Sequence, residues 1–225
     1  MAIDLERVPH RRVSIARSWR IISTPRNVLA RAATPKEREQ ISALLARYHP
    51  YAHLRERLGE LGKSVREVPG LDVLLAPFVD IGWPSRFSNG SFGVYYAARE
   101  RETAIAETRF HRTRLLLDSG APPALLPLTA FTATINGELH DLRGLRAKFP
   151  RMYSKDDYSA SQRLGQQLHD NRSSGIAYDS VRNEGGQCFG IFRPTVLKSC
   201  QRVQELYYRW DGTTIAEVLI SESAT

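Results

Sequence analysis

The pattern of apolar and polar residues divides the chain near residue 70. Within residues 34–48, TPKEREQISALLARY, apolar side chains recur at helical spacing behind a capping box that begins at Thr34. Pro50 ends this predicted helix, and a second short helix is predicted over residues 53–61. Residues 1–70 are therefore predicted to form a basic arm followed by a helical pair.

Residues 71–225 show a different pattern, in which short stretches rich in β-branched and aromatic residues alternate with turn residues. Helices are predicted between these stretches, over residues 100–117 and 156–170. The even strand–helix alternation of a doubly wound fold is missing, so we predict a single α+β domain with a small, mostly antiparallel core. The predicted strands are FGVYYAA (92–98), PLTAFTATI (127–135), GIAYDS (175–180), CFGIF (188–192) and QELYYRW (204–210).

The charge of the chain is concentrated at its beginning. The formal net charge is +8, and seven arginines against two acidic residues in residues 1–31 supply +5 of it. Such an excess suits an anionic partner, either an acidic protein or RNA, but it equally describes a solvated basic face. No stripe of alternating basic and aromatic residues accompanies it, so direct nucleic-acid binding is not expected.

Composition narrows the class of protein further. The longest apolar run is far shorter than the roughly 20 residues of a membrane helix, and MAIDLERVPHRR has no apolar core of a secretion signal. Cys188 and Cys200 fit no metal-binding spacing and are expected to be reduced thiols. We therefore expect a cytoplasmic protein without a bound metal or a membrane partner.

The most informative stretch is RFSNGSFGVYYAARERETAIAETRFHR, residues 86–112. Its glycines match neither GxxxxGK[ST] nor GxGxxG between strand and helix, so they indicate a turn and not a phosphate loop. In the helix that follows, Glu107 lies about 60° from the apolar stripe through Ala104, Ile105 and Thr108. Glu107 is therefore either paired, for example with His111, or lines a cleft.

The order of three polar residues in this stretch carries a family resemblance. Tyr96 follows Arg86 by ten residues and Glu107 follows Tyr96 by eleven, which resembles the RES-domain toxins of bacterial toxin–antitoxin pairs. The later segment DNRSSGIAYDSVRNEGGQCFGIFRP (170–194) resembles the second signature of that family. YYRWDG (207–212) is similar to the closing strand and turn of one branch.

The resemblance implies a fold related to ADP-ribosyltransferases and NAD+ as the substrate. It casts Glu107 as the carboxylate that stabilises an oxocarbenium-like ribose, and Arg86 as the group that holds pyrophosphate or ribose oxygens. Tyr96 would stack on the nicotinamide. The alternatives are that Arg86 pairs with a surface acid such as Asp80, and that Tyr96 is an ordinary strand residue in the core.

The resemblance also suggests a second group of NAD+-binding residues. Ser180, the serine of the second signature, would orient NAD+ by hydrogen bonding, or would only cap the turn to Arg182. Tyr95 is a weaker candidate, since it points to the opposite face of the strand from Tyr96. Arg182 and Asn183 follow Ser180 in a loop that could reach phosphate or ribose oxygens.

Family membership implies partners as well as a substrate. ADP-ribose could pass to a protein, which the extra N-terminal surface favours, or to phosphate or water, which would deplete NAD+. An antitoxin of Xre type with a helix-turn-helix is expected to cover the NAD+ cleft. The alternative class is a nucleic-acid-binding or RNA-cleaving toxin, suggested only by the pI of about 9.8.

Overall fold

The computed structural model describes residues 7–23, 71–79 and 81–221. Within these ranges the chain forms seven strands, three α-helices and two short 3₁₀ turns. The predicted helices over 34–48 and 53–61 lie outside the described residues. The strands are β1 His10–Ser23, β2 Tyr95–Ala98, β3 Ala124–Asp141, β4 Gly175–Asp179, β5 Gln187–Ile191, β6 Leu197–Trp210 and β7 Ile215–Ile220, and the helices are α1 Leu71–Val79, α2 Arg101–Asp118 and α3 Ser159–Asp170.

The seven strands form one sheet in the order β1-β2-β5-β4-β3-β6-β7. β1 also pairs with β3, so five strands close into a circuit and β6 and β7 extend from it. Among the described strands, β3 and β4 pair in parallel and every other pairing is antiparallel. The predicted fold class, α+β with a mostly antiparallel core, is confirmed.

Strands β2 to β6 correspond to the five predicted strands, and helices α2 and α3 to the two predicted helices. Helix α1 and strand β7 were not predicted. α1 depends on a contact that no local pattern reveals: a Cβ at Gly93 would lie 1.8 Å from the Pro77 carbonyl oxygen, so only glycine lets the chain approach there.

The first strand differs most from the sequence-based expectation of a basic arm. β1 pairs along most of its length with β3 and contributes buried Val13, Ser18 and Ile21 to the interior. The register shifts between Ile15 and Ser18, which breaks the strict two-residue alternation that marks a strand. Without a clear alternation, the exposed arginines are the most visible feature of this segment in the sequence, although its backbone is a strand of the sheet.

The two faces of β2 belong to different parts of the core. Tyr95 is fully buried in a cluster with Ile135, Phe189 and other residues of one sheet face, whereas Tyr96 packs against the second cluster. Successive strand residues point to opposite faces, which explains the separation. Among the described residues, no helix is both long and apolar enough to cross a membrane.

Candidate active site

A cavity of about 450 Å³ lies where β1 and β2 meet α2. Arg86, Tyr96 and Glu107 all line it, although they come from a loop, a strand and a helix. The structure thus brings together the three residues that the sequence singled out in one stretch. The other lining residues are Trp19, Arg20, Ile21, Ile22, Pro84, Ser85, Ala97, Ala98, Ala104, Thr108, His111, Arg112, Leu115, Tyr158, Tyr178 and Cys188.

Helix α2 presents one face to the cavity. Its six lining residues recur at helical spacing and form a stripe about 140° wide at 100° per residue. Glu107 lies at one edge of this stripe, so of the two alternatives, pairing with His111 or lining a cleft, the structure shows the second. The six residues are Ala104, Glu107, Thr108, His111, Arg112 and Leu115.

One oxygen of the Glu107 carboxylate accepts hydrogen bonds from two side chains. Ser180 Oγ donates a hydrogen bond to Glu107 Oε1 at 2.6 Å, and Cys188 Sγ donates to the same oxygen at 3.7 Å. Burial raises the pKa of the Cys188 thiol well above its usual range, so it stays a protonated donor. Oε2 has no hydrogen bond among the described residues and is available to a ligand.

Ser180 therefore acts on Glu107, whereas the sequence analysis expected it to bind the substrate directly. Its side chain is 2% exposed and is absent from the cavity wall. Its Oγ also accepts hydrogen bonds from the backbone N–H groups of Arg182 and Asn183, at 3.1 and 3.0 Å. The hydroxyl joins the 180–183 turn to the carboxylate and fixes the orientation of the latter.

Arg86 is a buried cation with one unoccupied end. It is 7% exposed, and its Nη1 donates to the carbonyl oxygens of Met152 and Ser154 at 3.2 and 2.9 Å. Its guanidinium lies 4.4 Å from the centre of the Tyr158 ring. Nη2 is buried without a hydrogen-bond partner in the described part of the chain. A buried unpaired donor of a charged group is costly, so this atom is suited to an anionic ligand.

Tyr96 organises the loop that carries Arg86. Its hydroxyl accepts a hydrogen bond from Phe87 N at 2.9 Å and shares another with Ser85 Oγ at 2.9 Å. Burial raises the pKa of Tyr96 to about 12, so the group is a neutral hydroxyl at physiological pH. Gln162 Nε2 on α3 donates to the Ser85 carbonyl at 2.9 Å and so adds a second tie to the same loop.

We expect Tyr96→Phe to lower the free energy of unfolding by about 1–3 kcal/mol, because it leaves the Phe87 amide without its acceptor. For a chain of this size that corresponds to a melting temperature lower by about 2–12 °C. Tyr95→Phe is the matched control, since the Tyr95 hydroxyl is buried without a hydrogen bond in the described residues. Equal melting temperatures of the two variants would contradict this account of Tyr96.

A comparison with known families identifies the fold that carries this cavity. The sequence model of the RES domain matches residues 64–211, which is more than half of the chain. The chain belongs to the RES domain family. Among solved structures it is similar to a chain of the MbcT–MbcA toxin–antitoxin complex of M. tuberculosis, with 12% identity, a TM-score of 0.46, and coverage of 88% of this chain and 89% of that one. No curated protein sequence matches.

Three residues that the RES resemblance proposed as NAD+ contacts do not line the cavity. Tyr95 is fully buried in the cluster on the other face of the sheet. Asn183 Nδ2 donates to Thr103 Oγ1 at 2.8 Å, which ties the 180–183 turn to the start of α2. Arg182 donates to the Lys155 carbonyl and stacks its guanidinium 3.3 Å from the centre of the Phe110 ring. None of the three is part of the cavity wall among the described residues, and their contact with NAD+ stays a prediction.

Sequence reasoning missed several residues of this RES cavity. Trp19 and Arg20 come from β1, which was expected to be an arm, and the region matched to the family begins only after it. Tyr158 and Tyr178 were noted only as part of a helix and a strand. Cys188 was predicted only to be a reduced thiol. A signal was available in the last case, since Cys188 stands in a predicted strand within the second signature.

His111 lies one helical turn after Glu107 in the wall of the cavity. Partial burial lowers the pKa of His111, and the positive charges of Arg182 and Arg86 act in the same direction, whereas Glu107 opposes them. The ring is therefore neutral near pH 7. No hydrogen bond joins it to Glu107 in the described residues. Within the same residues, no group of three histidine, cysteine or acidic side chains could hold a metal ion.

Proposed function

We propose that this RES-domain chain is the toxin of a toxin–antitoxin pair and that it cleaves the nicotinamide–ribose bond of NAD+. One observation carries the proposal: Glu107 and the buried Arg86 line the same cavity, and among the described residues Glu107 Oε2 and Arg86 Nη2 have no hydrogen-bond partner. NAD+ offers a matching pair of features, an electrophilic ribose carbon and a pyrophosphate.

The proposed chemistry needs a fixed negative charge beside the ribose. As the bond to nicotinamide breaks, its electron pair leaves with nicotinamide and positive charge develops on the ribose. Glu107 stabilises that charge through Oε2, because Oε1 is already occupied by Ser180 and Cys188. Nicotinamide leaves as a neutral molecule, so the bond can break without a metal or a strong acid.

The cation and the aromatic rings of the cavity have complementary roles in this proposal. Arg86 Nη2 binds a phosphate or ribose oxygen through a charge-assisted hydrogen bond. The Tyr96 ring lies in the cavity wall and supplies a flat surface for the nicotinamide, while its hydroxyl is occupied with the 85–87 loop. The Tyr158 ring contacts the Arg86 guanidinium and stabilises it through a cation–π interaction.

The acceptor of ADP-ribose defines the reaction type. We propose a protein acceptor, such as an enzyme of nucleotide-precursor synthesis, on the ground that 63 residues of this chain precede the region that the family model matches. An assay with labelled NAD+, with and without phosphate and with cell lysate, tests it. Labelled protein in the lysate is the expected result. Full NAD+ cleavage without labelled protein would exclude this acceptor, and ADP-ribose-1″-phosphate as product would establish the phosphorylase alternative.

The proposed partner is an antitoxin of Xre type that covers the cavity. Its gene is expected beside the gene of this protein, and its co-expression should restore the growth of cells that make the toxin. Failure of the neighbouring gene product to restore growth would exclude that partner. RNA cleavage by the purified protein with NAD+ left intact would overturn the proposed function as a whole.

Cys188→Ala should lower the rate of NAD+ cleavage by about 2–10-fold, because Glu107 loses one of the two donors that orient it. Cys188→Ser retains a donor and should recover most of the wild-type rate. The readout is kcat under saturating NAD+ for both variants. If the alanine and serine variants lose the same activity, the thiol affects packing and not the orientation of the carboxylate.

A further inference from the structure

Arg112 lies in the cavity at a distance from the centre formed by Glu107 and Arg86. It is five residues beyond Glu107 on α2, which places it about 140° around the helix and about 7.5 Å further along its axis. The two residues therefore lie at opposite edges of the stripe that faces the cavity.

The charges around Arg112 and His111 support this separation. His111 interacts electrostatically with Glu107 and Arg86, so these two groups lie on the His111 side of the helix. Arg112 instead interacts with the hydroxyl of Tyr208 on β6. The cavity thus has a cation at each of two separate places.

Arg112 has no hydrogen bond or ion pair with any side chain in residues 7–23, 71–79 and 81–221. Other arginines of the fold are paired there, such as Arg143 with Asp141 at 2.8 Å and Arg209 with Glu217 at 2.9 Å. Partial burial lowers the pKa of Arg112 from its ordinary value, yet a guanidinium remains charged at neutral pH. A partly desolvated cation in a cavity wall is suited to an anionic ligand.

The charged residues of the cavity wall also favour an anionic ligand. The lining residues include Arg86 and Arg112, and among the described lining residues Glu107 is the one carboxylate. Arg86 and Arg112 have no carboxylate partner among the described residues, and they lie at separate places in this wall. A ligand with two anionic groups, or two anionic ligands together, would contact both guanidinium groups.

We propose that Arg112 forms a second phosphoryl-binding subsite in the cavity, separate from the one at Arg86. The proposal rests on the proposed function for the identity of the substrate, but the subsite itself follows from the position of Arg112. Two sources can supply the phosphoryl oxygens: the second phosphate of the dinucleotide, or an inorganic phosphate that accepts ADP-ribose. Both would bind the planar guanidinium through paired N–H···O bonds.

Binding is tested by calorimetry, which does not depend on turnover. The probes are ADP-ribose, nicotinamide mononucleotide with its single phosphate, and inorganic phosphate. They are titrated into the full chain and into Arg112→Gln, Arg112→Lys and the control Arg114→Gln. Arg114 is a suitable control because it lies on the same helix but is exposed and outside the cavity wall. Melting temperatures establish that each variant is folded, and the lysine variant keeps the charge if the glutamine variant does not fold.

We expect Arg112→Gln to lower the affinity for either ADP-ribose or inorganic phosphate by about 10-fold or more. Weaker binding of ADP-ribose with unchanged binding of nicotinamide mononucleotide would assign the subsite to the second phosphate of the dinucleotide. Weaker binding of inorganic phosphate with unchanged binding of ADP-ribose would assign the subsite to the phosphate that accepts ADP-ribose. The proposal is overturned if Arg112→Gln binds all three probes as the wild type does, if Arg114→Gln loses as much, or if the wild type binds none of them. Failure of the wild type to cleave NAD+ while these binding results hold would instead remove only the proposed reaction.

Discussion

Glu107→Gln should reduce the rate of NAD+ cleavage by about 10²–10³-fold, the effect of removing a group that stabilises charge in a transition state. Glutamine has nearly the same shape, and its carbonyl oxygen can still accept the hydrogen bonds of Ser180 and Cys188. The fold should therefore survive, and the loss should appear in kcat and not only in KM. Growth inhibition by the expressed protein should disappear with the activity.

The matched control is Glu102→Gln. Glu102 lies on the same helix, is exposed, and forms its salt bridge with the neighbouring Arg101. This variant removes the same charge from α2 without touching the cavity, so its activity should equal that of the wild type. If Glu107→Gln retains NAD+ cleavage and toxicity, Glu107 is not the catalytic carboxylate.

Gly165→Ala should destabilise the protein by about 3 kcal/mol, which lowers the melting temperature by about 6–12 °C. A Cβ at this position would lie 1.9 Å from the Phe87 carbonyl oxygen and 2.7 Å from its carbon, both backbone atoms. Alanine favours a helix by up to about 1 kcal/mol over glycine, which offsets only part of this clash. Helix α3 must therefore move away from the 85–88 loop.

The same variant should impair NAD+ binding, because the displaced loop carries Arg86 and Ser85. The KM for NAD+ should rise, and the melting temperature measured on the same protein sample should fall. Arg163→Ala is the control, since Arg163 is exposed on α3. If Gly165→Ala has the melting temperature of the wild type, the loop and the helix can separate without a loss of stability, which would contradict the tight contact in the structure.

Much of the fold was predictable because it depends on local patterns. Strands β2 to β6 have dense β-branched and aromatic residues, and α2 and α3 have helical spacing, so their existence follows from residues close in sequence. β1 was not predicted because a register shift interrupts its alternation and arginines fill its exposed positions. α1 was not predicted because it packs at Gly93, a contact between segments that no periodicity marks.

The candidate site divides in the same way. Arg86, Tyr96 and Glu107 could be singled out from their order and spacing in one stretch, and the structure places all three in one cavity. Tyr95 stands next to Tyr96 but points to the other face of β2, as strand alternation predicts, and its contact with NAD+ stays a prediction.

By itself the sequence determined the family, the strand and helix pattern of residues 92–210, and the three polar residues of one signature. Only the tertiary structure decided what each group touches. Ser180 meets Glu107 across 73 residues of sequence, and Arg86 meets Ser154 across 68. Periodicity records which face a side chain occupies, but the partner on that face is set by how distant strands and helices pack. The assignment of Ser180 to Glu107, and of Arg112 to an open cavity wall, therefore required the folded chain.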